Sequence, residues 1–295
     1  ALGRIYLQSK LGEEAKNCFT LIVNKHPKNK DAHFLLAKSL WLLAEFDQAI
    51  LNAKHIALEI SDAPWPRLLL AETYIAADKK PHALKILNAL LKKDPGHLSV
   101  IKLTFGILRT ERSIESAEDL LKQSLLHTDN PWVHEQLIKI HLYSDPDFSR
   151  EHLTHCLSKY SKHIPFKVDM AKVMEINGEN DQAIEYLTSC YHKHPLPTIG
   201  LNLLRIYIKT EQFEEASFLQ STLINKFPKN IHIIEQSIQL FLAIEDHIKA
   251  EDNLNLLNEI HPNHVYYYIS KAKLLIQLGK HEKAIFFFDK GCELH

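Results

Sequence analysis

Alanine recurs along this chain at a fixed step, and that step leaves few folds open. Ala15, Ala49, Ala83 and Ala117 are each 34 residues apart. The next step lands on Glu151; the register then slips slightly and resumes through Ala183, Ala216, Ala250 and Ala284, the last two intervals again being 34 residues. A period of this length signals one supersecondary unit repeated end to end, each copy burying its apolar face by stacking on its neighbours.

A second ladder follows the first. Pro27, Pro95, Pro195, Pro228 and Pro262 each stand 12 residues after their alanine, with Ser61 and Asp129 in the same slot of two other repeats and Pro64 and Pro131 just downstream. Proline lacks an N–H and disfavours helical backbone in the residue before it, so each period must stop one helix and start another. Between these stops the apolar residues recur at helical spacing, as in Leu36, Leu40, Leu43, then Phe46, Ala49, Ala53 and Ile56. Two amphipathic helices and a tight turn fill one period. The alanine falls early in the second helix, where a small side chain lets the partner helix approach. With only 8 glycines and 45% hydrophobic residues, the composition supports an all-helical chain with ample core.

The combined pattern resembles the tetratricopeptide repeat. Repeat 1 carries Leu2, Gly3, Tyr6, Ala15, Phe19 and Pro27; repeat 3 carries Leu70, Ala71, Tyr74, Ala83, Leu87 and Pro95; repeat 7 carries Leu203, Tyr207, Phe213, Ala216, Leu223 and Pro228. Gly178 and Gly279 supply the turn glycine in repeats 6 and 9. The resemblance covers the whole chain and implies an all-α fold, a right-handed α-solenoid of about nine helix-turn-helix repeats.

The repeats are uneven. Residues 1–131 read as repeats 1–4, the first truncated, and 164–295 as repeats 6–9. Between them, 132–163 is an irregular repeat 5, with Glu151 in the alanine slot and an Asp-Pro-Asp turn at 145–147. A large charged residue in that slot predicts looser packing and a hinge. Neither end shows a capping helix, so further protein, a partner or a second copy is expected to cover the terminal faces.

In such solenoids the first helix of each repeat lines the concave surface. The resemblance therefore points to the position eleven residues before each ladder alanine: Arg4, Lys38, Glu72, Gly106, Lys172, Arg205, Gln239 and Lys273, with Ile140 in the irregular repeat. Phe34, Trp41, Trp65, Tyr143 and Tyr266 lie near these on the same face. Basic residues interleaved with aromatics suit an extended, acidic peptide; the alternative is a solvated helix face. Removing the charge of Lys172 and Arg205 together is expected to weaken an acidic partner.

Other functions find less support. A formal net charge of -1 provides no global field for nucleic acid, and no apolar stretch reaches the roughly 18–20 residues of a membrane span. The chaperone-tail carboxylate clamp of some family members needs Lys and Asn where this chain has Phe34 with Lys38 and Leu68 with Glu72. The asparagine ladder of the O-linked N-acetylglucosamine transferases is matched only by Asn202 in the series Leu35, Leu69, Leu103, Leu137, Asp169, Asn202, Gln236, Ser270. His152, His155 and Cys156 are the densest metal-like group but lack further ligands at a convincing spacing, so no metal or cofactor is assigned. Glu13–Glu14 and Glu214–Glu215 complement helix N-termini, and no catalytic residue is assigned. Cys18, Cys156, Cys190 and Cys292 read as buried apolar residues, which leans toward a cytoplasmic compartment. The chain opens at Ala1, and a removed leader would fit a bacterial periplasm instead. The expected role is a protein-interaction scaffold. The alternative is the substrate-recruiting arm of a larger enzyme or of a bacterial envelope or exopolysaccharide assembly system.

Overall fold

A computed structural model describes residues 2–60 and 63–294, all of whose regular structure is α-helix. The chain divides into two compact units, the first ending at Ile140 and the second beginning at His141. The first holds α1 (Leu2–Gln8), α2 (Gly12–Lys25), α3 (Lys30–Leu42), α4 (Phe46–Glu59), α5 (Trp65–Ala76), α6 (Lys80–Lys93), α7 (Leu98–Thr110), α8 (Ile114–Leu125) and nearly all of α9 (Pro131–His141). The second holds α10 (Pro146–Lys159), α11 (Ile164–Ile176), α12 (Asn180–Lys193), α13 (Pro197–Lys209), α14 (Phe213–Lys226), α15 (Ile231–Ala243), α16 (His247–Ile260), α17 (Val265–Gln277) and α18 (His281–Glu293). From α1 to α8, and again from α10 to α18, each helix packs on the next, and first helices of adjacent repeats also touch, as α3 on α5 and α13 on α15. Each unit is thus a stretch of α-solenoid.

The alanine ladder is the seam of this packing. Ala15, Ala49, Ala83, Ala117, Ala183, Ala216, Ala250 and Ala284 each occupy the fourth position of a second helix and are at most 2% exposed. In the irregular repeat the fourth position of α10 is Ser149, which is fully buried, while Glu151 faces solvent. This corrects the assignment of Glu151 to the small-residue slot: Ser149 holds it, 32 residues after Ala117 rather than 34. Asp145 caps α10 by accepting from the Phe148 N–H at 3.0 Å, and Pro146 opens the helix. The Asp-Pro-Asp run is a helix start rather than a defect.

The proline ladder does what its chemistry requires. Pro27, Pro95, Pro195, Pro228 and Pro262 each stand two residues beyond the end of a second helix, and the residue before each leaves the helical region, with φ between -142 and -134°. Ser61, placed in the same slot of the second repeat, lies outside the described residues.

Turns from first to second helix are written in backbone. In eight of them the residue five before the ladder alanine is left-handed: Lys10, Ala44, Asp78, Arg112, Gly178, Glu211, Glu245 and Gly279. The following N–H then reaches back five residues, as Lys79 to the Tyr74 carbonyl and Glu179 to the Met174 carbonyl, both at 2.8 Å. This bond satisfies a carbonyl the helix end would otherwise leave open. An added Cβ at Gly178 would have nothing within 4 Å. Gly178→Ala is therefore expected to cost conformational energy alone, about 1 kcal/mol, read as a lower urea midpoint; an unchanged midpoint would show that the turn is not under strain.

All four cysteines are free. Cys156 and Cys190 are buried and Cys18 is half-buried, but Cys292 is exposed, contrary to the expectation of four buried thiols.

Candidate binding surface on the first helices

The first helices of the first unit carry a groove of about 700 Å³, lined from α1, α3 and α5. The helical repeat brings its residues together: Arg4, Phe34, Lys38, Trp41 and Glu72 all border it. Lys38 holds its ammonium 4.6 Å from the centre of the Phe34 ring, and Trp65 meets that ring edge-on at 5.1 Å. Both geometries are favourable for a ring with a negative face and a positive rim. Trp41 borders the groove and is 45% exposed. Burial pushes the Glu72 carboxyl above the usual carboxylate range, and the Lys38 charge opposes this. With Asp31 also on the wall, the groove mixes signs around an aromatic floor.

The same device recurs on α7 and α9. Trp132 meets Phe105 edge-on at 5.6 Å, Lys102 stands 5.1 Å above Trp132, and Gly106 leaves the space beside them open. Trp132 and Lys102 were not among the residues the sequence singled out. The available signal was an aromatic in the first turn of α9 as in that of α5. Ile140, placed on the inner face by counting, is half-buried; the exposed residue eight positions into α9, as Lys38 is into α3, is Lys139. Lys139 follows Gly106 by 33 residues, so the count overshoots by one on α9 and by two at the seam on α10.

In the second unit Lys172 and Arg205 are already engaged. Arg205 on α13 grips Glu175 on α11 with both terminal nitrogens, one at 3.0 Å, and Lys209 approaches the same carboxylate at 3.5 Å. Lys172 donates to Asp169 at 3.0 Å. Glu175 and Asp169 are both buried, so their charges depend on these partners. Tyr143 stands 77% exposed beside this cluster, on the wall of a hollow of about 390 Å³. Gln239 and Lys273 are exposed on α15 and α17. Tyr266 is different: its hydroxyl donates to the Glu235 carbonyl at 3.0 Å, and burial raises its pKa, so the ring braces α17 against α15.

On α10, His152 stacks on Phe148 with ring centres 5.5 Å apart, and His155 faces solvent. Burial pushes the Cys156 thiol up to about 11. No helix among the described residues is long and apolar enough to cross a membrane.

The family model of the tetratricopeptide repeat matches residues 265–294. No curated protein sequence matches the chain. Among solved structures, a Naa15/Naa10 complex bound to HypK-THB contains a chain that is 15% identical over 99% of this one, with a TM-score of 0.50; this chain spans 52% of its length. The Cut9–Hcn1 hetero-tetramer of the APC/C is similar at 12% identity and a TM-score of 0.46, covering 99% of this chain and 65% of its own. MamA from MSR-1 is similar at 18% identity and a TM-score of 0.42, over 55% of this chain and 91% of its own.

Proposed function

We propose that this chain is a tetratricopeptide-repeat protein-interaction scaffold whose first helices hold an extended segment of a partner in the groove of the first unit. Phe34, Trp41 and Trp65 are the apolar anchors of this reading, and Arg4 and Lys38 receive the partner's carboxylates. The observation that carries it is the half-exposed Trp41 in a groove that already orders a cation and two other rings. Rigid aromatic anchors lose little conformational freedom on binding, which is why they dominate interface energetics.

The second unit contributes shape more than charge in this reading. Lys172, Arg205 and Lys209 face two carboxylates of their own chain, so an acidic partner there meets a partly compensated surface. Tyr143, Gln239 and Lys273 remain its accessible groups.

The test starts from partners captured by the whole chain and measures the affinity of each by calorimetry. Trp41→Ala is expected to weaken binding by roughly tenfold or more, a loss above about 1.4 kcal/mol. Lys38→Glu should weaken an acidic partner further, and less so at high salt. Unchanged affinity in both variants, with the fold intact, removes the groove as the binding surface.

A further inference from the structure

The second helices of the first unit carry an apolar trough whose rim is wholly cationic. First helices α3 and α5 pack on each other, whereas α4 and α6 are not in comparable contact, so α5 forms the floor between them. The trough measures about 470 Å³, with Ala57, Leu70 and Ile86 along its base. Leu58 stands on its wall at 84% exposure, more than any other large apolar residue among those described. Lys54 from α4, Arg67 from α5 and Lys85 from α6 surround it. Among the described residues no carboxylate forms an ion pair with these three.

The repeat geometry alone does not produce this combination. The neighbouring trough over α6, α7 and α8 is also largely apolar, with Leu84, Leu91, Leu108 and Leu120 on its lining, but its one lysine, Lys92, shares the wall with Asp119. An apolar base whose described charged residues are all cations is a property of these particular residues. Isolated, it leaves Leu58 in water, and the Lys54 ammonium stands 5.8 Å from the centre of the Tyr74 ring rather than beside a carboxylate.

We propose that this trough is a second docking surface, separate from the first-helix groove, for an acidic amphipathic helix of a partner protein. Apolar residues at i, i+3, i+4 and i+7 of that helix seat on Leu58, Leu70 and Ile86. Carboxylates flanking the apolar stripe pair with Lys54, Arg67 and Lys85. Two flanking second helices with a first helix beneath them form a slot whose walls a third helix can pack against.

The probe is a fluorescent synthetic peptide with leucines on one helical face and glutamates elsewhere, read by anisotropy with the full chain, beside a sequence-scrambled control of the same composition. The amphipathic peptide should bind and the scrambled one should bind far less. Leu58→Asp, and separately Lys54→Glu with Lys85→Glu, should each weaken binding by roughly tenfold or more. Because all three side chains are exposed, circular dichroism should be unaltered in these variants. Salt near 1 M, where the Debye length is about 3 Å, should weaken the wild type more than the double variant. Equal binding of the scrambled peptide, or unaltered affinity in both variants, overturns the proposal. So does loss of binding in Trp41→Ala but not in Leu58→Asp, which would put the peptide on the first helices. Binding to anionic vesicles that depends on Leu58, without peptide binding, would also overturn it in favour of a lipid surface.

Discussion

Phe166→Ala should destabilise the second unit by about 3–5 kcal/mol, the cost of deleting a large ring from a site that cannot collapse around the gap. Phe166 is the largest of the fully buried side chains, and its ring lies 4.3 Å from that of His163 and 6.1 Å from that of Tyr160, centre to centre. In a stack where each repeat touches only its neighbours, the loss should stay local. Hydrogen exchange should accelerate across α10, α11 and α12 before it does so in α15 to α18. Phe218→Ala serves as the comparison, because that ring is exposed and its removal should change stability by no more than about 0.5 kcal/mol. Equal effects of the two substitutions would mean that the interior is not organised as described.

Arg205→Ala is expected to cost roughly 2 kcal/mol or more, and the cost should come from the carboxylate left behind rather than from the lost arginine. Glu175 has a side chain only 6% exposed, and Arg205 supplies two of its hydrogen bonds. The arginine itself is 38% exposed, which screens the pair and keeps the figure below that of a fully buried one. Lys209, at 3.5 Å, recovers part of the loss. Arg205→Met combined with Glu175→Leu should restore most of the stability, since apolar residues of similar bulk remove the buried charge together with its partner. If the double substitution is as damaging as Arg205→Ala, the ion pair is not the source. This coupling bears directly on binding studies: neutralising Lys172 and Arg205 to probe an acidic partner also strands Asp169 and Glu175, so affinity and stability have to be measured side by side.

The fold was legible because its two most demanding positions, the small residue between helices and the proline after them, accept few residue types. The small-residue slot of repeat 5 was misplaced because counting in steps of 34 assumes helices of constant length. The shortfall lies in the helices, α8 and α9 having 12 and 11 residues where α6 and α7 have 14 and 13, and Asp145 with Pro146, a cap followed by a helix-opening residue, sets Ser149 rather than Glu151 in the seam. The first-unit site was legible in part: Arg4, Phe34, Lys38, Trp41 and Glu72 border one groove, and Trp65 touches it through Phe34. Glu175 escaped notice because its partner stands 30 residues downstream, on the next first helix, and periodicity alone names positions without pairing charges. The trough around Leu58 escaped for a related reason. Its residues come from three helices, and none of them breaks the repeat pattern.

The hairpin turns carry one more implication. Six of their eight left-handed positions hold residues as different as Lys, Ala, Asp, Arg and Glu, yet the same main-chain bond closes every one. Geometry that depends so little on side-chain identity tolerates drift, and a comparison made letter by letter loses such modules while their shape persists. A single hairpin should for that reason be transplantable between positions, provided its wedge of alanine or serine travels with it.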